Sequence, residues 1–150
     1  LIHMPYCPAA PEWLALTGDN GNGVIWSTTL AILPGPEGEA FKQKFIARFG
    51  EDTWNVSYST AIWDMMHFWE EAVKAAGSVT DYRAIMEYIN THEYDGYSGR
   101  FKFPKETNTV TLGDDYIPAP LYQVQNGEHI QLLPVKWSQG EFVLPPWIKK

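Results

Sequence analysis

Apolar residues recur with helical spacing in the middle of the chain. Phe41, Phe45 and Phe49 lie four residues apart, which predicts a helix that starts at Glu37 and turns these rings towards a core. The charged residues of this segment fall between the rings, as expected for an amphipathic helix that is exposed on one side. The pattern ends at Gly50, a residue that commonly terminates helices.

The segment 57–76 has the strongest helical pattern in the chain, and Gly77 ends it. Its apolar positions form one stripe, which we expect to face the core. These positions are Ile62, Met65, Met66, Trp69, Val73 and Ala76. The polar positions Asp64, His67, Glu71 and Lys74 are expected on the opposite, solvent-facing side.

A third, shorter helix is predicted after the start signal Ser78-Val-Thr-Asp81. Four of its residues are expected to face inward: Tyr82, Ile85, Met86 and Ile89. A short helix is also expected over residues 11–16, with proline in its first turn.

Strand patterns lie on both sides of these helices. A glycine turn at 96–99 leads into the alternating run Gly99–Phe103, and Asn126-Gly127 is a strong hairpin signal. The predicted strands are residues 1–4, 24–26, 99–103, 121–125 and 129–133. The tail after Pro134 is expected to be irregular and to lie along a surface. Together these elements predict a mixed α/β chain.

The composition is that of a folded, acidic protein. Of the 150 residues, 45% are hydrophobic and 19% are charged, which is typical of a globular domain. The net charge is −7 without a basic cluster, so neither nucleic acid nor an anionic membrane surface is expected as a partner. Seven Trp, eight Tyr and seven Phe exceed the need of a small core. Such rings suit packing or a pocket for a flat ligand, and composition leaves both open.

Residue patterns typical of catalysis or metal binding are missing from the sequence. No His lies at ligand spacing from another His or Cys, and no Ser lies in a G-x-S-x-G turn. The run 18–23 fits neither a dinucleotide loop nor a calcium loop and is expected to be a plain loop. The single cysteine, Cys7, excludes an internal disulfide. We therefore expect no enzymatic activity, no metal and no cofactor.

Neither a membrane-spanning segment nor a signal peptide is recognised in the sequence. No apolar run approaches the ~18 residues of a membrane span, so direct membrane insertion is not expected. The first residues lack the basic start and apolar core of a signal peptide. A chain that starts at Leu1 is expected to come from processing or from a longer protein.

Three runs, taken in order, resemble one known family. They are Thr60–Gly77, Tyr94–Phe103 with its Asp-Gly-x-x-Gly turn, and Leu121–Gly127 with its hairpin signal. Their order and spacing resemble the C-terminal part of the solute-binding proteins of branched-chain amino acid and amide ABC transporters. The resemblance spans roughly residues 20–137.

The resemblance implies a periplasmic-binding type I fold, an α/β architecture of two doubly wound lobes, present here as a C-terminal fragment. Residues 1–27 would finish the second lobe, residues 28–118 would complete part of the first, and residues 119–150 would cross back as a hairpin and tail. Such a fragment leaves apolar faces uncovered. We therefore expect it to associate with the remaining portion of the protein or with a second copy.

Three candidate ligand-binding residues follow from the resemblance. Tyr6 and Cys7 occupy the loop after the first strand, where relatives often place an acid for the substrate ammonium. Here no acid stands in that loop, which favours an amide, urea-like or aromatic solute, because a buried ammonium would be left uncompensated. Tyr58, at a helix start, is expected to form an aromatic wall of the cleft, or alternatively to pack on Trp54. Trp26 is expected either to line the hinge or to pack in the core.

The function implied by the resemblance is that of the solute-binding component of an ABC importer. Its ligand would be a small polar solute (an amino acid, an amide or a urea-like molecule) held between the lobes, and its protein partner an ABC permease. The expected location is periplasmic or extracytoplasmic. The alternative is a ligand-sensing regulator or receptor domain of the same fold. A carbohydrate-binding β domain is disfavoured by the three predicted helices.

Overall fold

The computed structural model describes residues 1–55 and 57–148, and short strands alternate with helices along them. The elements are β1 His3–Pro5, α1 Pro11–Thr17, β2 Ile25–Ser27, α2 Pro36–Phe49, α3 Ser59–Ala76, α4 Tyr82–Thr91, β3 Tyr94–Gly96, β4 Gly99–Phe101, β5 Leu121–Gln125 and β6 Glu128–Leu133. Short 3₁₀ turns cover Cys7–Ala9, Gly18–Gly21, Glu51–Thr53 and Val135–Trp137. The mixed α/β class predicted from the sequence is confirmed.

One sheet joins the two ends of the chain, in the order β1-β2-β5-β6. β1 runs parallel to β2, while β5 is antiparallel to both β2 and β6. The β5–β6 hairpin turns at Asn126 and Gly127, whose φ angles of 53° and 78° suit an asparagine followed by a glycine. Trp26 on β2 lies opposite Tyr122 on β5, and their rings stack with centroids 4.3 Å apart.

The helices and the small β3–β4 hairpin surround a second core. α3 packs along α4, and β3 contacts α3. Phe68, Phe101 and Ile117 form the buried centre of this core. Partly buried residues pack around it: Tyr88, Ile89, Tyr94, Phe103 and Val110. The expected burial of alternate positions in the strand after the glycine turn is confirmed, because Gly99 and Phe101 are buried while Arg100 is exposed.

The prediction for the faces of α3 was wrong. The buried residues of this helix are Thr60, Ala61, Asp64, Phe68 and Ala72. The apolar residues expected in the core lie on the outside: Ile62 is 61% exposed, and Met65, Met66 and Trp69 are exposed too. Periodicity separates the faces of a helix but does not say which face the rest of the chain covers. Here the covered face combines the core residue Phe68 with the small residues Ala61 and Ala72, whose size lets neighbouring elements pack closely.

The other two amphipathic helices also bury less than predicted. Phe41 is buried, but Phe49 at the end of α2 is exposed. On α4 the inward position Ile85 is buried, whereas Tyr82 is 70% exposed and Met86 is exposed as well. Exposed apolar residues thus recur on α2, α3 and α4, although single exposed apolar side chains are normal on protein surfaces.

Two glutamines of β5 hold the tail. The Gln123 side chain pairs with the backbone of Val143 in both directions: Val143 N donates to Oε1 (2.9 Å), and Nε2 donates to the Val143 carbonyl (2.7 Å). Gln125 Nε2 donates to the Glu141 carbonyl at 2.8 Å. The side chains therefore pair with the tail backbone as a neighbouring strand would, and Pro145 in the tail is fully buried.

Candidate functional site

The loop after β1 holds Tyr6 in a constrained conformation. Its backbone N–H donates to the Ser27 carbonyl on β2 (3.1 Å), and its own carbonyl accepts from Ala9 N (2.9 Å). Its φ of 60° lies in the left-handed region, which costs a bulky residue about 1–3 kcal/mol. Its hydroxyl shares a 2.9 Å hydrogen bond with Thr29 Oγ1, so the side chain is held at its tip as well. Such strained positions recur at binding sites.

The start of α3 is organised by Asn55. Its side-chain Oδ1 accepts hydrogen bonds from Ser57 N (2.8 Å) and Tyr58 N (3.2 Å). Its backbone N–H donates to Ser59 Oγ at 3.1 Å. Because an asparagine side chain that accepts from the N–H groups just after it makes a turn, these bonds fix the turn that leads into α3. Tyr58 lies at this fixed helix start and remains 42% exposed.

The structure brings two of the three sequence-predicted residues together. The rings of Tyr6 and Tyr58 stack with centroids 6.3 Å apart and an interplanar angle of 21°. Cys7 follows Tyr6 and is exposed to solvent. Trp54, the alternative partner of Tyr58, instead packs its ring against Phe41 and Phe45 of α2. These contacts make a paired aromatic wall where the β1 loop meets the helical layer.

Asn55 also connects these two parts of the molecule directly. Its Nδ2 donates to the carbonyl of Ala9, in the loop after β1, at 3.1 Å. One amide therefore fixes the start of α3 with its oxygen and the β1 loop with its nitrogen. The long-range contact to Ala9 left no local signal.

Trp26 lies in the core. It has no exposed surface and stacks on Tyr122, and its Nε1 donates to His129 Nδ1 at 3.1 Å. Burial lowers the pKa of His129 below its ordinary value, because the charged ring would lose its hydration. Of the two interpretations offered by the sequence, the core position is the one observed.

A second residue missed by sequence reasoning is Asp64, which was placed on the solvent-facing side of α3 but is fully buried. Its Oδ1 accepts from Tyr97 N (3.0 Å) and its Oδ2 from Ser98 N (2.8 Å), in the turn between β3 and β4. Burial raises the pKa of Asp64, and the two N–H donors oppose that rise. The sequence held one signal for this contact: a carboxylate lies among apolar residues of a helix, and an Asp-Gly-x-x-Gly turn with free N–H groups follows later in the chain.

Gly96 makes room for this buried carboxylate. A Cβ at position 96 would lie 2.5 Å from Cγ of Asp64, closer than two carbon atoms that are not bonded to each other can approach. Ser98 Oγ donates to Thr60 Oγ1 at 3.0 Å and ties the same turn to α3. By contrast, Asp95 and Arg100 form an exposed ion pair at 2.7 Å across the hairpin. The Asp-Gly-x-x-Gly turn is therefore built as a structural connection to α3.

Two grooves lie away from Tyr6 and Tyr58, beside α2 and α3. One has a volume of about 670 Å³ and another of about 660 Å³, and they share Phe41, Lys44, Trp63, His67 and Tyr97. The second continues along Phe45, Phe49, Ile62 and Met66. The second groove follows exposed apolar side chains of the helices, whereas the first also reaches Asp95 and Gly96 in the β3–β4 hairpin. Neither groove includes Tyr6 or Tyr58. Volume alone therefore does not identify a ligand site.

A model of the periplasmic binding protein family matches residues 6–128. The chain belongs to the periplasmic binding protein family. The match confirms the family and fold class that the three sequence runs indicated. A comparison with curated proteins gives no match. Within the described residues of this periplasmic binding protein, no helix is long and apolar enough to cross a membrane.

Solved structures share the fold of this periplasmic binding protein. A putative branched-chain amino acid ABC transporter from Silicibacter pomeroyi is 20% identical, with a TM-score of 0.82 over 99% of this chain and 41% of its own. A leucine binding protein from Thermotoga maritima MSB8 is 19% identical, with a TM-score of 0.66 over 90% and 38%. An ABC transporter substrate-binding protein from Sphaerobacter thermophilus is 22% identical, with a TM-score of 0.63 over 85% and 34%. The chain thus spans 34–41% of the length of these structures, as a fragment of the fold would.

Proposed function

We propose that this chain is part of the solute-binding component of an ABC importer and that Tyr6, Cys7 and Tyr58 line its solute site. The single observation that carries the proposal is the stacked pair of Tyr6 and Tyr58, 6.3 Å apart. The two rings come from the β1 loop and from the start of α3. A site formed by two parts of a molecule is the geometry that closure around a ligand requires.

The proposed division of the chain follows its two cores. Residues 1–27 and 119–150 belong to the second lobe, and residues 28–118 complete part of the first. Support comes from the sheet, which combines β1 and β2 with β5 and β6. The helical core around Phe68 and Phe101 is separate from the sheet core around Trp26. The Tyr6–Tyr58 wall then lies between the lobes.

The proposed solute is small, polar and neutral, such as an amide or a urea-like molecule. The loop of Tyr6 and Cys7 offers a phenol, a thiol and backbone groups but no carboxylate to balance an ammonium. Relatives of known structure include a leucine binding protein, so an α-amino acid is the competing solute class. The protein would act outside the cytoplasm and present its closed form to a permease.

Closure would work by differential affinity. A solute that touches both the Tyr6 loop and Tyr58 binds the closed form better than the open one and therefore shifts the population towards it. The missing part of the fold would supply further contacts and would cover the apolar faces of α2 and α3. We therefore expect the isolated chain to associate with that part or with a second copy.

A thermal-shift screen of the full-length protein tests this function. L-leucine, acetamide and urea are compared, and a solute present at 100 times its Kd stabilises the native state by about 2.7 kcal/mol. Tyr58→Ala and Tyr6→Ala should each raise the Kd about 10-fold, or about 1.4 kcal/mol, because each removes half of the aromatic wall.

The matched control is Tyr82→Ala, which removes a ring that is 70% exposed on α4. This variant should bind as the unaltered protein does. If Tyr58→Ala and Tyr6→Ala bind with unchanged Kd, the solute lies elsewhere and these residues leave the site. If only L-leucine stabilises the protein, the preference for a neutral solute is wrong.

A further inference from the structure

We infer that Asn55 is a positioning residue that holds the solute site in its closed arrangement, by bridging the start of α3 to the loop after β1. This inference rests on the proposed function, since it names the contact that couples the two walls of that site. Asn55 donates from Nδ2 to the Ala9 carbonyl (3.1 Å) and accepts at Oδ1 from Ser57 N and Tyr58 N.

The orientation of the Asn55 amide is determined by its surroundings. Two backbone N–H groups face one end of the side chain, so that end must be the acceptor oxygen. A backbone carbonyl faces the other end, so that end must be the donor nitrogen. A rotated amide would lose all three bonds. Because aspartate has only acceptors and serine is too short to span both groups, neither can replace the bridge.

The bridge lies beside the residues of the aromatic wall. The N–H of Tyr58 donates to the Asn55 side chain. The Asn55 amide in turn donates to the Ala9 carbonyl. The N–H of Ala9 donates to the Tyr6 carbonyl, which completes the connection between the two tyrosines. Movement of the β1 loop away from α3 would separate the two rings and break the bond between Asn55 and Ala9 together. The arrangement with stacked rings, which we identify with the closed form, is thus stabilised by one hydrogen bond that an open form would lack.

The size of the effect follows from that single bond. One net hydrogen bond changes an equilibrium about 2- to 10-fold. Removing it should shift the ligand-free protein towards the open form by this factor. The dissociation rate of a bound solute should rise by the same factor, whereas the association rate should change little, because the individual solute contacts are kept.

Asn55→Asp removes the bridge to Ala9 but keeps the acceptors for the turn before α3. The aspartate oxygens can still accept from Ser57 N and Tyr58 N, and a negative charge favours a helix start. No donor is left for the Ala9 carbonyl. Asn55→Ser, whose hydroxyl can make a similar but weaker turn, is a second variant that keeps the test valid if the aspartate disturbs folding. The matched control is Asp81→Asn at the start of α4, where Asp81 Oδ1 accepts from Ala84 N at 3.1 Å.

The experiment measures small-angle X-ray scattering of the ligand-free full-length protein, and stopped-flow binding of L-leucine, acetamide and urea. Asn55→Asp should increase the radius of gyration of the ligand-free protein. It should also raise the dissociation rate of whichever probe binds by about 2- to 10-fold. Asp81→Asn should do neither. An unchanged radius and dissociation rate in both Asn55 variants would overturn the inference and leave Asn55 with only the role of fixing the turn before α3. If no probe binds the unaltered protein but Asn55→Asp still expands it, the bridge stands and the proposed solutes are wrong.

Discussion

Replacing Asp64 tests whether the buried carboxylate holds the β3–β4 turn against α3. Asp64→Ala removes both oxygens, and Asp64→Asn keeps the shape but exchanges one acceptor for a donor. In the unaltered protein the two oxygens accept from Tyr97 N at 3.0 Å and from Ser98 N at 2.8 Å. Both variants therefore act on the same two backbone N–H groups, to different extents.

The expected loss follows from those two donors. A buried backbone N–H that loses its partner costs about 1–3 kcal/mol, so Asp64→Ala should lower the free energy of unfolding by about 2–6 kcal/mol. Asp64→Asn can still accept one bond, and its amide NH₂ then meets the other N–H, so about half of that loss is expected. Gly96→Ala should weaken the same contact from the opposite side, since its Cβ would lie 2.5 Å from the Asp64 Cγ.

Urea unfolding of the full-length protein, followed by circular dichroism, measures these free energies. The matched control is Asp95→Asn in the same hairpin, which removes an exposed ion pair to Arg100 and should leave stability unchanged within experimental error. If Asp64→Ala and Asp95→Asn have equal effects, the Asp64 carboxylate does not hold the turn. A loss for Asp64→Asn as large as that for Asp64→Ala would show that charge, and not the number of acceptors, is what matters.

Two further predictions concern the sheet. Burial places the pKa of His129 below 6.5. The neutral ring therefore adds stability above that pH, and this stability is lost as the pH falls through the folded-state pKa. Protonation also turns Nδ1 into a donor that can no longer accept from Trp26 Nε1. His129→Gln should flatten the fall in stability below pH 6.5, and a fall as steep as that of the unaltered protein would contradict this. Gly127→Ala should cost about 1 kcal/mol, because Gly127 has a φ of 78° in the hairpin turn. Denaturant unfolding measures this loss, and equal stability of the alanine variant would refute the strain argument.

Local patterns in the sequence determined where most elements lie. The hairpin at Asn126-Gly127 forms as predicted, and Asp81 caps α4 by accepting from Ala84 N. These features depend on interactions between residues a few positions apart, so the sequence contains the whole signal. The order of the three resembling runs also sufficed to indicate the family.

Only the tertiary structure decided which side of α3 is buried and which residues meet. Asp64 is covered because the β3–β4 turn offers two N–H groups to its carboxylate, and the apolar face with Ile62 is exposed. The pairing of Tyr6 with Tyr58 and the bridge of Asn55 to Ala9 join segments far apart in the sequence. A hydrophobic stripe predicts burial only if the surface that covers it is part of the same chain. This chain spans 34–41% of the length of the solved structures to which it was compared, so much of the covering surface of that fold is not part of it.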